Sequence, residues 1–261
     1  MKNQTNTLIA ANTLGFAAVL AVNYLANSLP LNGKNTGELS DLYPNLFVPA
    51  GLTFAIWGVI YTWLLALVVW QVAALFSARL MARVEPLVQK TGWLFAIICV
   101  YNVLWLFAWH WQQLLAALLI MIYLLKSLVD LGEKTGSGRF KANMLEKWLV
   151  HAPFGIYQGW ITIALIANVT ATLVAFHWNG FGVPEYIWTI AVIGAGVAVA
   201  AYMLWRQHNI FHGLAVAWAL FGIWLKRSGA ADAPEVATAA LAGMGIVLLL
   251  SAWRSGKWLS Y

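Results

Sequence analysis

The chain has 261 residues, of which 62% are hydrophobic and only 9% charged, and it carries a formal net charge of +6. A water-soluble domain carries about 25% charged residues, so a soluble fold is excluded and the spare apolar surface must face lipid. The 15 Lys and Arg lie between apolar runs, which makes them topology signals and leaflet contacts and argues against nucleic acid as a partner.

Eight apolar segments are predicted, each near the roughly 20 residues that cross about 30 Å of hydrocarbon. They cover 7–29, 49–77, 92–110, 113–132, 149–177, 186–205, 209–226 and 234–254. The expected fold is all-α, a polytopic transmembrane bundle of about eight helices. The first segment follows Lys2 and runs apolar to Ala26. A signal peptide cut near Ser28 is the alternative reading, but Asn12 and Asn23 interrupt it and the chain continues in the same character.

Residues 30–48 then form the longest outer loop. Pro, Gly, Asn and Asp make it turn-rich, while Leu39, Leu42, Tyr43, Leu46 and Phe47 give it an apolar side. It is read as either a lid folded over the bundle or an interfacial connector. Only Trp111 and Gln112 separate the third and fourth segments, and a single kinked helix there would be too long for one crossing. Residues 133–147 form a charged linker with a Gly-Ser centre. Beyond it, Gly194, Gly196, Ala198 and Ala200 in the sixth segment, and Ala239 and Gly243 in the eighth, permit close helix contact.

If the segments alternate from a cytoplasmic N-terminus, twelve of the 15 basic residues fall on the cytoplasmic side. These include Lys2, Arg79, Arg83, Lys90, Arg139, Lys141, Arg206, Arg254 and Lys257. Lys34, Lys226 and Arg227 fall on the other side. That asymmetry supports eight crossings with both termini cytoplasmic.

The apolar segments carry little chemistry. No Asp or Glu lies near the middle of any of them, which argues against carboxylate proton relays, and neither a Gly-rich phosphate loop nor an HExxH is present. Cys99 is the one cysteine, so neither a disulfide nor a thiolate metal site is expected. His208 and His212 are four apart and would share a helix face, either as interfacial residues or as ligands of a metal or haem iron. The mid-membrane polar groups are Tyr61, Tyr101, Asn102, Tyr157, Gln158, Thr162 and Asn168, suited to bridging helices or to orienting a ligand in an apolar pocket. Of the 16 Trp, Trp93, Trp148, Trp178, Trp188, Trp205, Trp253 and Trp258 sit at segment ends, where an interfacial belt explains them. Trp57, Trp63, Trp105 and Trp160 lie deeper, placed either for ordinary packing or for lining a site for a flat ligand.

Three stretches carry a family resemblance. The second segment contains Pro49-Ala-Gly-Leu-Thr-Phe-Ala-Ile-Trp57-Gly-Val-Ile-Tyr61, the third Asn102-Val-Leu-Trp105, and the fifth Trp160-xxx-Ala164-xxx-Asn168. In order and spacing these resemble the PPxWxFxxxWxxLY, LNxxW and WxxFAxxLN patterns of the TspO/MBR family, the tryptophan-rich sensory proteins related to the mitochondrial translocator protein. The chain departs from the pattern at Val48, Gly51 and Thr53, where the family has Pro, Trp and Phe. Pro153 also precedes Trp160 by seven residues instead of four.

The resemblance implies a five-helix domain over 1–177, followed by three additional transmembrane helices over 178–261. It implies a pocket built from Pro49, Trp57, Tyr61, Asn102, Trp105, Trp160, Ala164 and Asn168 and covered by the first loop. The ligand would be a porphyrin or another hydrophobic aromatic molecule. No cofactor or catalytic residue is required, and a homodimer is expected. The implied role is a receptor or carrier in a bacterial inner (plasma) membrane. A small-solute transporter and a light-dependent porphyrin-degrading protein are the rival readings.

Overall fold

Hydropathy builds the long helices, and a few polar residues fix how they meet. The computed structural model of the chain describes residues 2–29, 31–137 and 142–260, without the side chains of Lys2 and residues 258–260. The expectations resting on Lys2, Arg139, Lys141 and Trp258 therefore lie outside the described residues.

Helix α1 covers Lys2–Ser28. The two asparagines that interrupt its apolar run are its ties to the bundle. Asn12 donates to Gln71 Oε1 at 3.0 Å, and Asn23 reaches Asn102 at 3.1 Å. A short helix, α2 (Thr36–Asp41), follows, started by a capping box between Asn35 and Glu38. The second segment opens as a tight 3-10 turn, Gly51–Ala55, and continues as α3 (Ile56–Ala74).

The stretch read as a loop between the second and third segments is a helix, α4 (Ala78–Thr91), capped by Ser77 and buried through Val84, Leu87, Val88 and Thr91. Its charged residues mask a one-sided apolar stripe. Then come α5 (Leu94–His110), α6 (Leu114–Thr135) and α7 (Ala152–Ala175). A π-turn, Lys147–His151, leads into α7. The last three helices are α8 (Glu185–Gln207), α9 (Ile210–Ala230) and α10 (Pro234–Ser260).

All eight expected segments are thus helical, within a few residues of the predicted bounds except where helices lengthen at their ends. Among the described residues six helices are long and apolar enough to cross a bilayer by themselves, and the pair α4–α5, bent by 62°, brings the number to as many as seven. The sequence reading counts eight. The difference lies in α5, with only 17 residues, and in α9, whose apolar run is diluted by His212, Lys226 and Arg227.

Contacts sort the helix ends into two groups. At one end Thr5 meets Glu85 and Gln89, Arg206 meets Glu133, and Asn209 meets Ser137 and His151. Most of the Lys and Arg lie there, so we call it the basic end. At the other end Lys226 meets Asp41, Leu46 meets Glu185 and Asn32 meets His110. Residues 31–48 lie there, and we call it the lid end.

The C-terminal helices pack directly on the first five. α9 lies against α7, α8, α10 and the Gly51–Ala55 turn. Ala50 N donates to Gly222 O at 2.9 Å, and Trp218 Nε1 donates to Thr53 O at 2.8 Å. A Cβ on Gly222 would lie 2.0 Å from Thr53 Oγ1. Thr53, where the family pattern has Phe, is therefore the surface on which α9 docks, and the close approach leaves no space for a ring. Gly51, another departure, is exposed with nothing within 4 Å of where a Cβ would stand.

Candidate functional site

Six of the eight expected residues share one small cavity. Pro49, Trp57, Trp105, Trp160, Ala164 and Asn168 line it with Phe54, Trp109, Ile163 and Ala167, and Thr36 and Ser40 of the lid lie over it. The indoles come from α3, α5 and α7. Trp57 stands near Trp105 at 6.4 Å between centroids and edge-on to Trp160 at 6.1 Å. Trp105 stacks on Trp109 at 6.0 Å and 17°, and Phe54 meets Trp160 edge-on at 5.9 Å. Each such pair contributes about 0.5–1.5 kcal/mol beyond its buried area, so the cage is stiff as well as apolar.

Tyr61 and Asn102 are not on the cavity wall; they hold the wall from behind. Tyr61 stacks on Trp57 at 5.2 Å and 17°. Its hydroxyl donates to Asn23 Oδ1 at 3.0 Å. Asn102 donates to Tyr157 Oη at 2.8 Å and to Tyr61 Oη at 3.3 Å. The cage's own polar atoms are mostly occupied. Trp105 Nε1 donates to Asn168 Oδ1 at 3.2 Å, and Asn168 Nδ2 donates to Ala164 O at 3.0 Å. Trp160 Nε1 is the exception: it is buried and has no acceptor.

Two residues qualify the sequence reading. Trp109 belongs to the cage and was missed, although its position one helical turn after Trp105 is a readable signal. Trp63, read as deep with the others, belongs to a separate cluster with Trp148 at 5.9 Å and Phe211 at 5.2 Å. The histidine pair is also corrected. His208 is the left-handed residue, φ 49°, that ends α8, whereas His212 lies in the first turn of α9. The break between them removes the shared helix face, and no metal-holding cluster of His, Cys, Asp and Glu exists among the described residues.

Residues 31–48 form a lid, docked through backbone and side chains alike. The buried His110 ring faces Leu31 O at 2.9 Å through Nδ1 and the Thr36 hydroxyl at 3.3 Å through Nε2. Trp109 Nε1 donates to Thr36 O at 3.4 Å. Leu39 and Phe47 are buried beneath. On the far side the lid is latched to the C-terminal helices by Lys226–Asp41 at 3.3 Å and by Leu46 N donating to Glu185 Oε1 at 2.8 Å.

Under this lid the cavity is only about 50 Å³, far below the roughly 300–1,000 Å³ of sites for drug-sized ligands. A larger groove of about 400 Å³ opens beside it, between α7 and α8 under Pro44 and Asn45, with Trp178 and Trp188 in its wall. Nothing in the sequence order announces this groove, because the crossing of α7 and α8 creates it. Ile163 and Ala167 of the cage and Thr170 and Val174 of the groove continue one stripe along α7.

A family model described as TSPO-like protein matches residues 8–253. The match runs through α8, α9 and most of α10 as well as the first five long helices. The chain matches no curated protein and no solved structure.

Proposed function

Since the chain belongs to the TSPO-like protein family, we propose that this integral membrane protein is a receptor or carrier for a flat hydrophobic ligand such as a porphyrin. The observation that supports it is the cage: four indoles from three helices around one cavity, with a spare donor at Trp160 Nε1. At about 50 Å³ the cage is too small for such a ligand as it stands, so residues 31–48 must lift for the ligand to be held. Lifting separates Asp41 from Lys226, which leaves a cation at the mouth for a carboxylate substituent of the ligand. The groove between α7 and α8 offers a lateral way in from the bilayer along the shared stripe of α7. In this reading the membrane is a bacterial inner membrane with the basic end in the cytoplasm, in line with the positive-inside asymmetry; a reporter fused to the C-terminus reads that orientation directly.

The test is titration of the purified protein with protoporphyrin while Trp fluorescence is followed. Saturable quenching is expected, and Trp57→Ala with Trp160→Ala should weaken binding at least about tenfold. Asp41→Asn should speed association about two- to fivefold, the range an exposed ion pair of up to about 1 kcal/mol allows. Absence of saturable quenching, or quenching untouched by the double substitution, rejects the reading.

A second reading, a small-solute carrier, draws on a different observation. Gln158 Nε2, Gln207 Nε2 and both ring nitrogens of His212 are buried without partners in the half of the bundle between the cage and the basic end. Such atoms cost about 1–3 kcal/mol each when dry, which favours a hydrated path. Proteoliposomes should then show solute uptake that Gln158→Leu suppresses; uptake equal to empty liposomes sinks this reading.

A further inference from the structure

Far from the cage, Arg254 is buried with no counter-ion among the described residues. Arg254 lies near the end of α10 with 3% of its surface exposed. The ion pairs among the described residues involve Lys126, His151, Arg206, Lys226 and Arg227, and none reaches Arg254. Its Nη2 is sealed from solvent and has no acceptor. The guanidinium carbon stands 4.1 Å from the ring centroid of Trp205 on α8 and 4.1 Å from that of Trp253 on α10. Those rings, 6.3 Å apart, are 65% and 64% exposed on the outer face of the bundle.

Two cation–π contacts recover only part of the cost of burying a guanidinium. Neither ring offers an oxygen acceptor to its N–H donors. The group that fits such a fork is a phosphate, which accepts two parallel N–H bonds. The surroundings favour an anion. His208, at the α8–α9 break, is held below the ordinary imidazole range by burial and then by the positive charges of Arg254 and Lys257. The neighbouring Arg206 is already engaged by Glu133 at 2.6 Å, so among the described residues that carboxylate is not left over for Arg254. The depth is that of headgroups, because exposed Trp pairs at helix ends mark the membrane–water boundary, and basic sites between helices there bind acidic lipids.

We propose that Arg254, framed by Trp205 and Trp253, is a binding site for a phosphate group, presented by an anionic phospholipid of the leaflet at the basic end. The lipid-facing indoles favour a lipid over a free anion, since acyl chains would lie against the same rings. The site is separate from the cage and does not depend on what the cage binds.

Native mass spectrometry of delipidated protein tests this, with dioleoyl phosphatidylglycerol, dioleoyl phosphatidylcholine and inorganic phosphate as separate probes. One phosphatidylglycerol should be retained per chain, at least about tenfold more tightly than phosphatidylcholine. Millimolar inorganic phosphate should not displace it. Arg254→Gln should reduce retention to the phosphatidylcholine level while circular dichroism and the thermal midpoint in lipid-free detergent stay at or above wild type. A Trp205→Leu, Trp253→Leu variant, which keeps the charge, should reduce it partly. Equal retention of both lipids, or retention unchanged in both variants, overturns the proposal. Displacement by inorganic phosphate overturns the lipid assignment and leaves a site for a soluble phosphate.

Discussion

Gly159→Leu is expected to leave almost no folded protein. Gly155 and Gly159 lie one turn apart on the face of α7 that meets α9. A Cβ on Gly159 would stand 2.3 Å from the His212 carbonyl oxygen and 2.9 Å from Ala215 Cβ. The first obstacle is helix backbone, which cannot rotate aside as a side chain can. Substitution must push two central helices apart, and with them Trp160 and the docking of α9 on Thr53. At Gly155 the obstacle is the Asn209 side chain, 2.3 Å away, which itself donates to His151 O at 2.6 Å.

Overpacking by a methyl group costs about 1–3 kcal/mol, so Gly159→Ala should lower the thermal midpoint by about 3–10 °C. The Leu variant should be lost to aggregation. Gly194→Ala is the control: nothing lies within 4 Å of its would-be Cβ, and its midpoint should not fall. Size-exclusion profiles and melting curves of the three variants decide it, and a Gly159→Ala protein that melts with the wild type would show that close helix approach is not what holds α7 to α9.

That prediction also marks where sequence reading stopped. Small-residue spacing was legible in the sixth and eighth segments, and there Gly196 and Gly243 do touch neighbours, with Ile163 Cδ1 at 3.1 Å and Val197 Cγ2 at 2.9 Å from their would-be Cβ atoms. The tighter Gly155–Gly159 pair is not legible in the sequence, because its spacing does not say that this face of α7 is the one that meets Asn209 and His212. The long helices were legible because a run of apolar residues has one physical solution in lipid, a helix with its backbone bonds satisfied internally. Helix α4 was not, since its polar face reads as a loop until its Ser77 cap and apolar stripe are weighed together.

The cage followed the same division. Order along the chain identified six wall residues, and a turn of helix would have added Trp109. What no spacing conveys is the distance between elements far apart in sequence. The closed volume of the cage, the α7–α8 groove, and the support of Trp57 by Tyr61 and Asn102 all depend on how helices cross.

Asn102→Leu should therefore damage ligand binding from outside the cavity. Asn102 is 1% exposed and joins four helices through one amide. Its Oδ1 accepts from Asn23 of α1 at 3.1 Å, and its Nδ2 donates to Tyr157 of α7 at 2.8 Å and to Tyr61 of α3 at 3.3 Å. Leu has similar bulk and fills the space, so the loss is one of hydrogen bonding rather than of packing. Interhelical hydrogen bonds in a membrane contribute about 0.6–2 kcal/mol each. With the hydroxyl of Tyr157 left buried, a total of about 2–4 kcal/mol is expected, read as a midpoint lower by about 5–15 °C.

The consequence for the site runs through Trp57, which Tyr61 stacks against and Tyr157 meets edge-on at 5.7 Å. When those phenols lose their anchor the indole gains freedom, and protoporphyrin affinity should fall although no wall residue has changed. Tyr61→Phe keeps the ring stack and loses only the hydroxyl, so its effect should be smaller, about 1 kcal/mol. Because both substitutions break the same network, the double variant should cost less than the sum of the singles. Strict additivity, or an Asn102→Leu protein with wild-type midpoint and affinity, would mean that the aromatic wall holds its shape without the amide behind it.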